Sequence, residues 1–227
     1  MISEIKSNQM RNPKLSFVIP AKDEEQSVEK LYFEILSSIK DVSDSFEIIF
    51  VDDGSIDKTF EKLKKLRRKD KRVKIIRLRG NFGKSVALQV GFDYAKGEII
   101  FTMDADLQDS PEEIPKFIKK MREGYDLVSG WKLERHDPQL KKVIPSRIIN
   151  FLTRFLTGVP IHDTNCGFKA YRRVVIANLN LYGELYRFIP IIAYRQNFKV
   201  GEVVVRHRKR LYGKTKFGWE RGLKGIL

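Results

Sequence analysis

The first 130 residues alternate between short apolar runs and amphipathic stretches, and this alternation constrains the fold more than any other feature. Apolar runs with the length and composition of buried strands cover residues 15–20, 46–51, 73–78, 98–103 and 125–129. Between them, Leu31, Ile35 and Ile39 recur at four-residue spacing, as on the buried face of a helix. The pattern predicts an α/β fold with a mostly parallel sheet and helices on both faces. A mixed second half follows residue 130, with one further strand predicted at residues 199–205.

The starts of two helices carry capping signals. Asp57 is predicted to cap a helix that runs to about residue 70. Ser110 and Pro111 are predicted to start another, with Glu112 and Glu113 against the positive end of the helix dipole. A third helix is predicted to run through Val86, Val90 and Tyr94.

The net charge of +15 over 227 residues predicts an anionic partner, which could be nucleic acid, an acidic membrane surface or a phosphorylated substrate. The single cysteine, Cys166, excludes a disulfide within the chain and is predicted to be a packed thiol. No run approaches the ~20 apolar residues of a transmembrane helix, so we expect a soluble or peripheral protein. The partly apolar residues 221–227 fit either a native terminus or the start of a membrane-proximal segment.

Acidic clusters follow three of the predicted strands, at residues 20–24, 52–55 and 104–109. Ligands of open parallel sheets bind beyond the carboxyl ends of the strands, and crowded carboxylates require a cation. Asp104 and Asp106 could both reach one Mg²⁺ or Mn²⁺ that keeps positions open for phosphates, with Gln108 adding a neutral oxygen. The alternative is that these aspartates are turn and capping residues. Because Asp57 or Ser55 accounts for the next cap, Asp53 is predicted to be free to bind a base N–H.

Four segments together resemble the family 2 glycosyltransferases, which have the GT-A fold. They are Pro-Ala-Lys-Asp-Glu-Glu at 20–25, Val-Asp-Asp-Gly-Ser at 51–55, Asn-Phe-Gly-Lys at 81–84 and Asp-Ala-Asp-Leu-Gln at 104–108. More narrowly, they resemble the dolichol-phosphate mannose synthase and undecaprenyl-phosphate glycosyltransferase branch. The resemblance implies an inverting enzyme that moves a sugar from a UDP- or GDP-sugar to a polyprenyl phosphate, using Mg²⁺ or Mn²⁺. It would work at the cytoplasmic face of the membrane, either peripherally or anchored by helices beyond residue 227.

Residues 1–13 are polar and unpatterned, so they are predicted to form a flexible arm. The resemblance implies one GT-A domain at 14–220, with a nucleotide-sugar half (14–130) and an acceptor half (131–220). The residues implied for nucleotide-sugar binding are Pro20, Ala21, Glu24, Asp53, Lys84, Asp104 and Ala105. Those implied for the metal are Asp104, Asp106 and Gln108. Two positions depart from the family: Asp23 replaces the usual Asn, and Gly80 stands where Arg is usual, with Arg79 one place earlier.

On the acceptor side, the resemblance implies that Lys132, Arg135, Ser146 and Arg147 bind the acceptor phosphate. A solvated basic surface is the alternative for these cations. Asp106, Asp163, Lys132 and Arg135 form the implied catalytic set. Since a phosphate acceptor is already anionic and needs no general base, Asp163 would orient groups or balance charge. The helix predicted at 143–159 fits a membrane interface or the core equally well.

The basic segment 206–218 resembles the closing segment of the family, which can cover the diphosphate as a lid. Its implied lid residues are Arg210, Lys214 and Lys216, with hinge freedom at Gly213 and Gly218. A juxtamembrane stretch attracted to anionic lipids is the alternative, and both could hold.

Other functions have less support. A family 2 enzyme acting on a polysaccharide or glycan is one alternative, although the Gln-x-x-Arg-Trp motif of processive synthases is absent. A non-catalytic module that binds nucleotide-sugar or nucleic acid is a remote one, and the acidic rim would repel a nucleic-acid backbone. We therefore expect a nucleotide-sugar, a polyprenyl phosphate and a membrane surface as partners, no nucleic acid, and possible homo-oligomers.

Overall fold

The computed structural model describes residues 14–133 and 157–212. These residues form seven strands, six α-helices and two 3₁₀ turns. In chain order the elements are β1 (Leu15–Ala21), α1 (Val28–Ile39), β2 (Phe46–Asp52), α2 (Thr59–Lys69), β3 (Val73–Arg77), α3 (Lys84–Tyr94), β4 (Ile99–Thr102), a 3₁₀ turn (Pro111–Glu113), α4 (Ile114–Arg122), β5 (Leu127–Trp131), β6 (Lys169–Arg172), α5 (Arg173–Ala177), a 3₁₀ turn (Leu185–Arg187), α6 (Ile189–Arg195) and β7 (Val200–Val204).

The strands form one sheet in the order β3-β2-β1-β4-β6-β5-β7. β1, β2, β3 and β4 are parallel to one another, and β5 is parallel to β7. β6 lies antiparallel between β4 and β5, with Ala170 opposite both Phe101 and Val128. The predicted mostly parallel sheet is confirmed. The sequence did not predict β6, which is only four residues long and begins and ends on a basic residue.

Helices cover both faces of the sheet, as predicted. On β1, Phe17 belongs to one buried apolar cluster and its neighbour Val18 to the other, because successive side chains of a strand point to opposite faces. The first cluster includes Leu31 of α1 and Phe117 of α4, and the second includes Leu88 of α3. No helix in the described ranges is both long and apolar enough to span a membrane.

The predicted helix starts differ from the structure in detail. Asp57 lies two residues before α2, and its Oδ1 accepts the Thr59 N–H at 2.9 Å without being the cap residue. The helix predicted at Ser110 begins as the 3₁₀ turn, and the Ser110 hydroxyl makes no capping hydrogen bond. Instead, it accepts a hydrogen bond from Arg208 at 2.7 Å. The Ser110 hydroxyl therefore binds a residue that is distant in the sequence and does not cap the helix.

α3 presents a different face to the core from the one predicted. Tyr94 is 58% exposed, whereas Ala87, Leu88, Gly91 and Phe92 are buried. Small residues face the sheet here, so the helix approaches β1 closely and its apolar periodicity is weak. The absence of a side chain at Gly91 permits this approach, since a Cβ atom there would lie 2.2 Å from Cγ1 of Val18.

We expect Gly91→Ala to destabilise the protein by about 3 kcal/mol, because the added methyl group overpacks the contact between α3 and β1. Urea denaturation of the wild type, this variant and Asp93→Ala measures the effect. Asp93 is an exposed residue on the same helix, so its variant controls for helix propensity. An unchanged urea midpoint for Gly91→Ala would contradict the close approach.

Candidate active site

A pocket of about 240 Å³ opens at the carboxyl ends of β1, β2 and β4. Its walls come from the loops that follow these strands, from the start of α3 and from Arg210 near the end of the described chain. The lining residues are Pro20, Ala21, Lys22, Asp23, Glu24, Asp53, Asn81, Gly83, Lys84, Asp104, Ala105, Asp106 and Arg210. Every residue that the sequence assigned to the nucleotide-sugar is among them, together with Asp106. Gln108 is not.

The loops after β1 and β2 are joined by reciprocal hydrogen bonds between backbone and side chains. The Asp23 N–H donates to the Ser55 hydroxyl at 2.9 Å, and the Ile56 N–H donates to Asp23 Oδ1 at 2.8 Å. The Glu24 N–H donates to the Thr59 hydroxyl at 2.7 Å. Asp23 has a φ of 49°, which Asp and Asn tolerate better than most residues. The exchange of the family's usual Asn for Asp23 therefore suits this turn.

Asp53 holds the start of α3 against the end of β2. Its Oδ1 accepts the Phe82 N–H at 2.7 Å and its Oδ2 accepts the Gly83 N–H at 3.0 Å. The expectation that Asp53 is free is therefore wrong, because both of its oxygens bind backbone. Each oxygen keeps a second lone pair, so a contact from Asp53 to a base stays a prediction.

Gly54 and Gly80 lie against each other beside this loop. Gly54 has a φ of +68°, and a Cβ atom on it would lie 2.5 Å from the carbonyl carbon of Gly80. A Cβ atom on Gly80 itself would meet only the Phe82 ring, at 3.9 Å. The backbone therefore has room for a Cβ atom at the position where the family usually carries arginine. Arg79 is exposed and is not a pocket residue.

Asp104 and Asp106 both line the pocket, and each contacts a different cation. The Asp104 carboxylate pairs with the Lys84 ammonium, and Asp106 Oδ2 lies 2.5 Å from Nη2 of Arg210. Burial opposes ionisation of Asp104, but the charge of Lys84 outweighs it and lowers the pKa of Asp104. Burial, reinforced by repulsion from Asp104 and opposed by Arg210, raises the pKa of Asp106 to about 6. Asp106, unlike Asp104, is thus short of compensating positive charge.

This pair fits a divalent cation in its donor chemistry. Within residues 14–133 and 157–212, no group of three or more His, Cys, Asp or Glu side chains could hold a metal ion alone. Two carboxylates in one loop suit Mg²⁺ or Mn²⁺ that takes its remaining ligands from water and phosphate. Gln108 lies outside the pocket, and its backbone carbonyl oxygen accepts the backbone N–H of Arg208 at 2.8 Å. Its role as a metal ligand stays a prediction.

Asp109 and Lys132 form a buried ion pair beside Asp104. Lys132 Nζ lies 3.0 Å from Asp109 Oδ1, and the two side chains are 13% and 1% exposed. Burial opposes the charge of Lys132, but Asp109 outweighs it and raises the pKa of Lys132. The alternative of a solvated basic surface is therefore wrong for Lys132. Asp109 is the third acid of the loop at 104–109, and no motif in the sequence assigned it a role.

Asp163 lies behind the pocket and does not line it. Its side chain is buried and its Oδ1 accepts the Asn165 N–H at 3.2 Å. The chain then passes close to Asp104, since a Cβ atom on Gly167 would lie 2.7 Å from Asp104 Oδ2. Burial raises the pKa of the Cys166 thiol to about 12, as expected for a packed thiol. The other predicted acceptor residues, Arg135, Ser146 and Arg147, lie outside the described residues, as does most of the helix predicted at 143–159.

The predicted lid segment is attached to the loop that carries Asp106. We call residues 205–212 the strap. His207 forms an isolated β-bridge with Asp109 in this loop. Arg208 Nη1 lies 2.7 Å from Glu34 Oε2 on α1, and Arg210 reaches the pocket. Alternate arginines of the strap thus pair with acids of the first half. Lys214 and Lys216 lie outside the described residues.

We expect a pH-dependent contribution from Lys169, a buried residue whose ammonium donates to the Cys166 carbonyl oxygen. Burial lowers the pKa of Lys169 from 10.5 to about 8. The unfolded chain therefore binds more protons than the folded chain between pH 8 and 10.5, and folding stability rises with pH across this window. Urea midpoints of the wild type should rise relative to those of Lys169→Met from pH 8 to 10, and the difference should stay constant from pH 6 to 7. A constant difference up to pH 10 would contradict this prediction.

The sequence matches known proteins over most of its length. The sequence model of Glycosyl transferase family 2 matches residues 16–179. The dodecaprenyl-phosphate galacturonate synthase of Rhizobium johnstonii is 38% identical over 217 residues, which cover 94% of this chain and 64% of that protein. An undecaprenyl-phosphate 4-deoxy-4-formamido-L-arabinose transferase of Pseudomonas aeruginosa is 35% identical over 204 residues, covering 89% and 60%. The chain thus spans less than two thirds of the length of these relatives.

Solved structures with the same fold include the glucosyl-3-phosphoglycerate synthase of Mycobacterium tuberculosis. Its complex with Mn²⁺, UDP-glucose and phosphoglyceric acid has a TM-score of 0.63 and 19% identity, covering 87% of this chain and 72% of that one. Its complex with Mn²⁺, UDP and phosphoglyceric acid has a TM-score of 0.65 and 22% identity, and again covers 87% of this chain and 72% of that one. At these identities the likeness shows the fold alone.

Proposed function

The chain belongs to glycosyl transferase family 2 and has the GT-A fold, and we propose that it transfers a sugar from a UDP- or GDP-sugar to a polyprenyl phosphate. The observation that carries this proposal is the pocket at the carboxyl ends of β1, β2 and β4. There Asp53 and the loops around it line the same pocket as Asp104 and Asp106, and Asp106 is short of compensating positive charge.

The donor would bind with its base against the loops after β1 and β2 and its diphosphate toward Asp104 and Asp106. Reciprocal hydrogen bonds hold these loops in place, so little ordering is needed on binding. Asp104 and Asp106 would hold Mg²⁺ or Mn²⁺, which when bound supplies positive charge to the leaving diphosphate. The homologous fold in the M. tuberculosis enzyme is found with Mn²⁺ and UDP-glucose, which supports this assignment.

The acceptor would attack through an oxygen of its phosphate. A bond forms between this oxygen and the anomeric carbon while the bond from that carbon to the diphosphate breaks, so the configuration inverts. The attacking oxygen is already anionic, so no proton has to be removed. We assign Lys132, Arg135, Ser146 and Arg147 to the acceptor phosphate, and a charge-balancing role to Asp163. Arg210, Lys214 and Lys216 would close over the diphosphate.

The names of the two bacterial relatives support a polyprenyl-phosphate acceptor, since both act on a polyprenyl phosphate. The lipid chain of such an acceptor lies in a bilayer, so we propose that the protein acts at the cytoplasmic face of a membrane. A net charge of +15 would favour binding to anionic lipid headgroups.

A panel of UDP- and GDP-sugars with Mn²⁺ and undecaprenyl phosphate in detergent tests the proposal, with release of nucleoside diphosphate as the readout. We expect one donor to give release that depends on the lipid. Undecaprenol is the matched control, because it has the same chain without the phosphate, and we expect it to be inactive. Equal release with undecaprenol, or no lipid-dependent release with any donor, would refute a polyprenyl-phosphate acceptor.

A further inference from the structure

Arg210 is held in the pocket by the attachment of the strap to the Asp106 loop. Two residues before it, the backbone N–H of Arg208 donates to the backbone carbonyl of Gln108 at 2.8 Å. The Arg208 guanidinium donates to the Glu34 carboxylate at 2.7 Å. The backbone that carries Arg210 is therefore fixed to the loop that carries Asp106. The Arg210 side chain is only 19% exposed.

The Arg210 guanidinium lies between two carboxylates on opposite walls of the pocket. Nη2 is 2.5 Å from Asp106 Oδ2, and Nη1 is 3.7 Å from Glu24 Oε1. Nη1 is buried and makes no hydrogen bond to any residue in the described ranges. Arg210 thus already supplies charge to Asp106 while one of its nitrogens remains available to a further acceptor.

A divalent cation and Arg210 compete for the same oxygen. Mg²⁺ or Mn²⁺ binds a carboxylate oxygen at about 2.0–2.2 Å, inside the distance at which Nη2 now contacts Asp106 Oδ2. Two cations so close to one oxygen repel each other strongly in a buried site. This repulsion weakens binding of the metal at Asp106 while the guanidinium keeps its contact, and it favours movement of the guanidinium away from this oxygen when the metal binds.

We propose that Arg210 is a resident counter-cation of Asp106, and that Arg210 and the divalent cation are alternative partners of this carboxylate. The proposal rests on the proposed function in taking Asp106 as a metal ligand. The displaced guanidinium stays close to the pocket, where a diphosphate offers oxygens that suit its paired N–H groups. The metal and the nucleoside diphosphate then bind cooperatively, because the diphosphate gives Arg210 the partner that the metal has taken.

Measurement of free Mn²⁺ by electron paramagnetic resonance, with and without UDP, tests the proposal. Arg210→Ala should bind Mn²⁺ alone about tenfold more tightly than the wild type, because the competitor is gone. The gain in Mn²⁺ affinity caused by UDP should be smaller in this variant than in the wild type. Arg210→Lys keeps the positive charge but lacks the paired N–H groups of a guanidinium. Its Mn²⁺ affinity should therefore fall between those of the wild type and Arg210→Ala.

Lys209→Ala is the matched control, since it removes the same charge from an exposed neighbour in the strap. Its Mn²⁺ affinity should stay within about twofold of the wild type. Hydrogen exchange gives an independent readout: Mn²⁺ alone should speed exchange of the strap amides in the wild type, and UDP should reverse this.

The proposal is overturned if Arg210→Ala binds Mn²⁺ no more tightly than Lys209→Ala, or if Mn²⁺ alone protects the strap. Neither measurement uses a sugar donor or a lipid. If the protein shows the expected Mn²⁺ affinities and strap exchange but transfers no sugar, the proposed function is refuted and the competition between Arg210 and the metal at Asp106 still holds.

Discussion

Asp106→Asn is expected to lower the rate of sugar transfer by about 10³-fold while the fold remains intact. The asparagine keeps the size of the side chain but removes the charge that would hold the divalent cation against the leaving diphosphate. Burial and the neighbouring Asp104 already disfavour the Asp106 charge, so its removal should not lower the free energy of unfolding. A loss of activity with an unchanged melting temperature would separate a functional role of Asp106 from a structural one.

Single-turnover transfer rates and thermal melting of Asp106→Asn measure this result. Asp93→Asn is the matched control, because it is the same substitution on the exposed side of α3 and should leave both quantities unchanged. Full activity of Asp106→Asn would show that Asp106 is not needed to hold the metal and would refute its proposed role in catalysis.

Asp53→Ala is expected to raise the KM for the donor at least tenfold and to destabilise the protein by about 2–4 kcal/mol. The reason is the loop before α3, whose Phe82 and Gly83 N–H groups both bind the Asp53 carboxylate. Without it, these donors lose their partner and the end of α3 that carries Lys84 moves. The ion pair between the Lys84 ammonium and the Asp104 carboxylate would then be lost.

Donor and acceptor titrations at saturating concentrations of the other substrate distinguish this effect from a general loss of activity. The KM for the lipid should change by less than about twofold, because the proposed role of Asp53 concerns the donor and not the acceptor. A variant that retained the donor KM of the wild type would show that the Asn81–Lys84 loop keeps its place without Asp53.

The strands of the first half could be predicted because each contains a run of apolar residues, and β1, β2 and β4 are buried along most of their length. β6 could not, since it is short, starts with Lys169 and is defined by pairing with β4 and β5. The buried face of α3 could not be predicted either, because Gly91 has no side chain and Ala87 only a methyl group, and both are buried. Close packing of small residues leaves little trace in apolar periodicity.

The convergence of the acidic residues in the candidate site could be predicted for a simple geometric reason. Asp53, Asp104 and Asp106 follow parallel strands, and the carboxyl ends of such strands meet at one edge of the sheet. The acidic motifs therefore had to converge. The buried pair of Asp109 and Lys132 was not predictable, because charged residues in a loop are ordinarily solvated.

The α/β fold, the family and the residues that surround the pocket could all be predicted from the amino-acid sequence. These follow from local patterns: apolar periodicity, strand ends and short motifs. Only the tertiary structure decided which charges neutralise one another, as in the contacts of Asp104 with Lys84 and of Asp106 with Arg210, residues 20 and 104 positions apart. The physical reason is that an ion pair depends on distance through space and on burial, and both are set by packing between segments far apart in the chain.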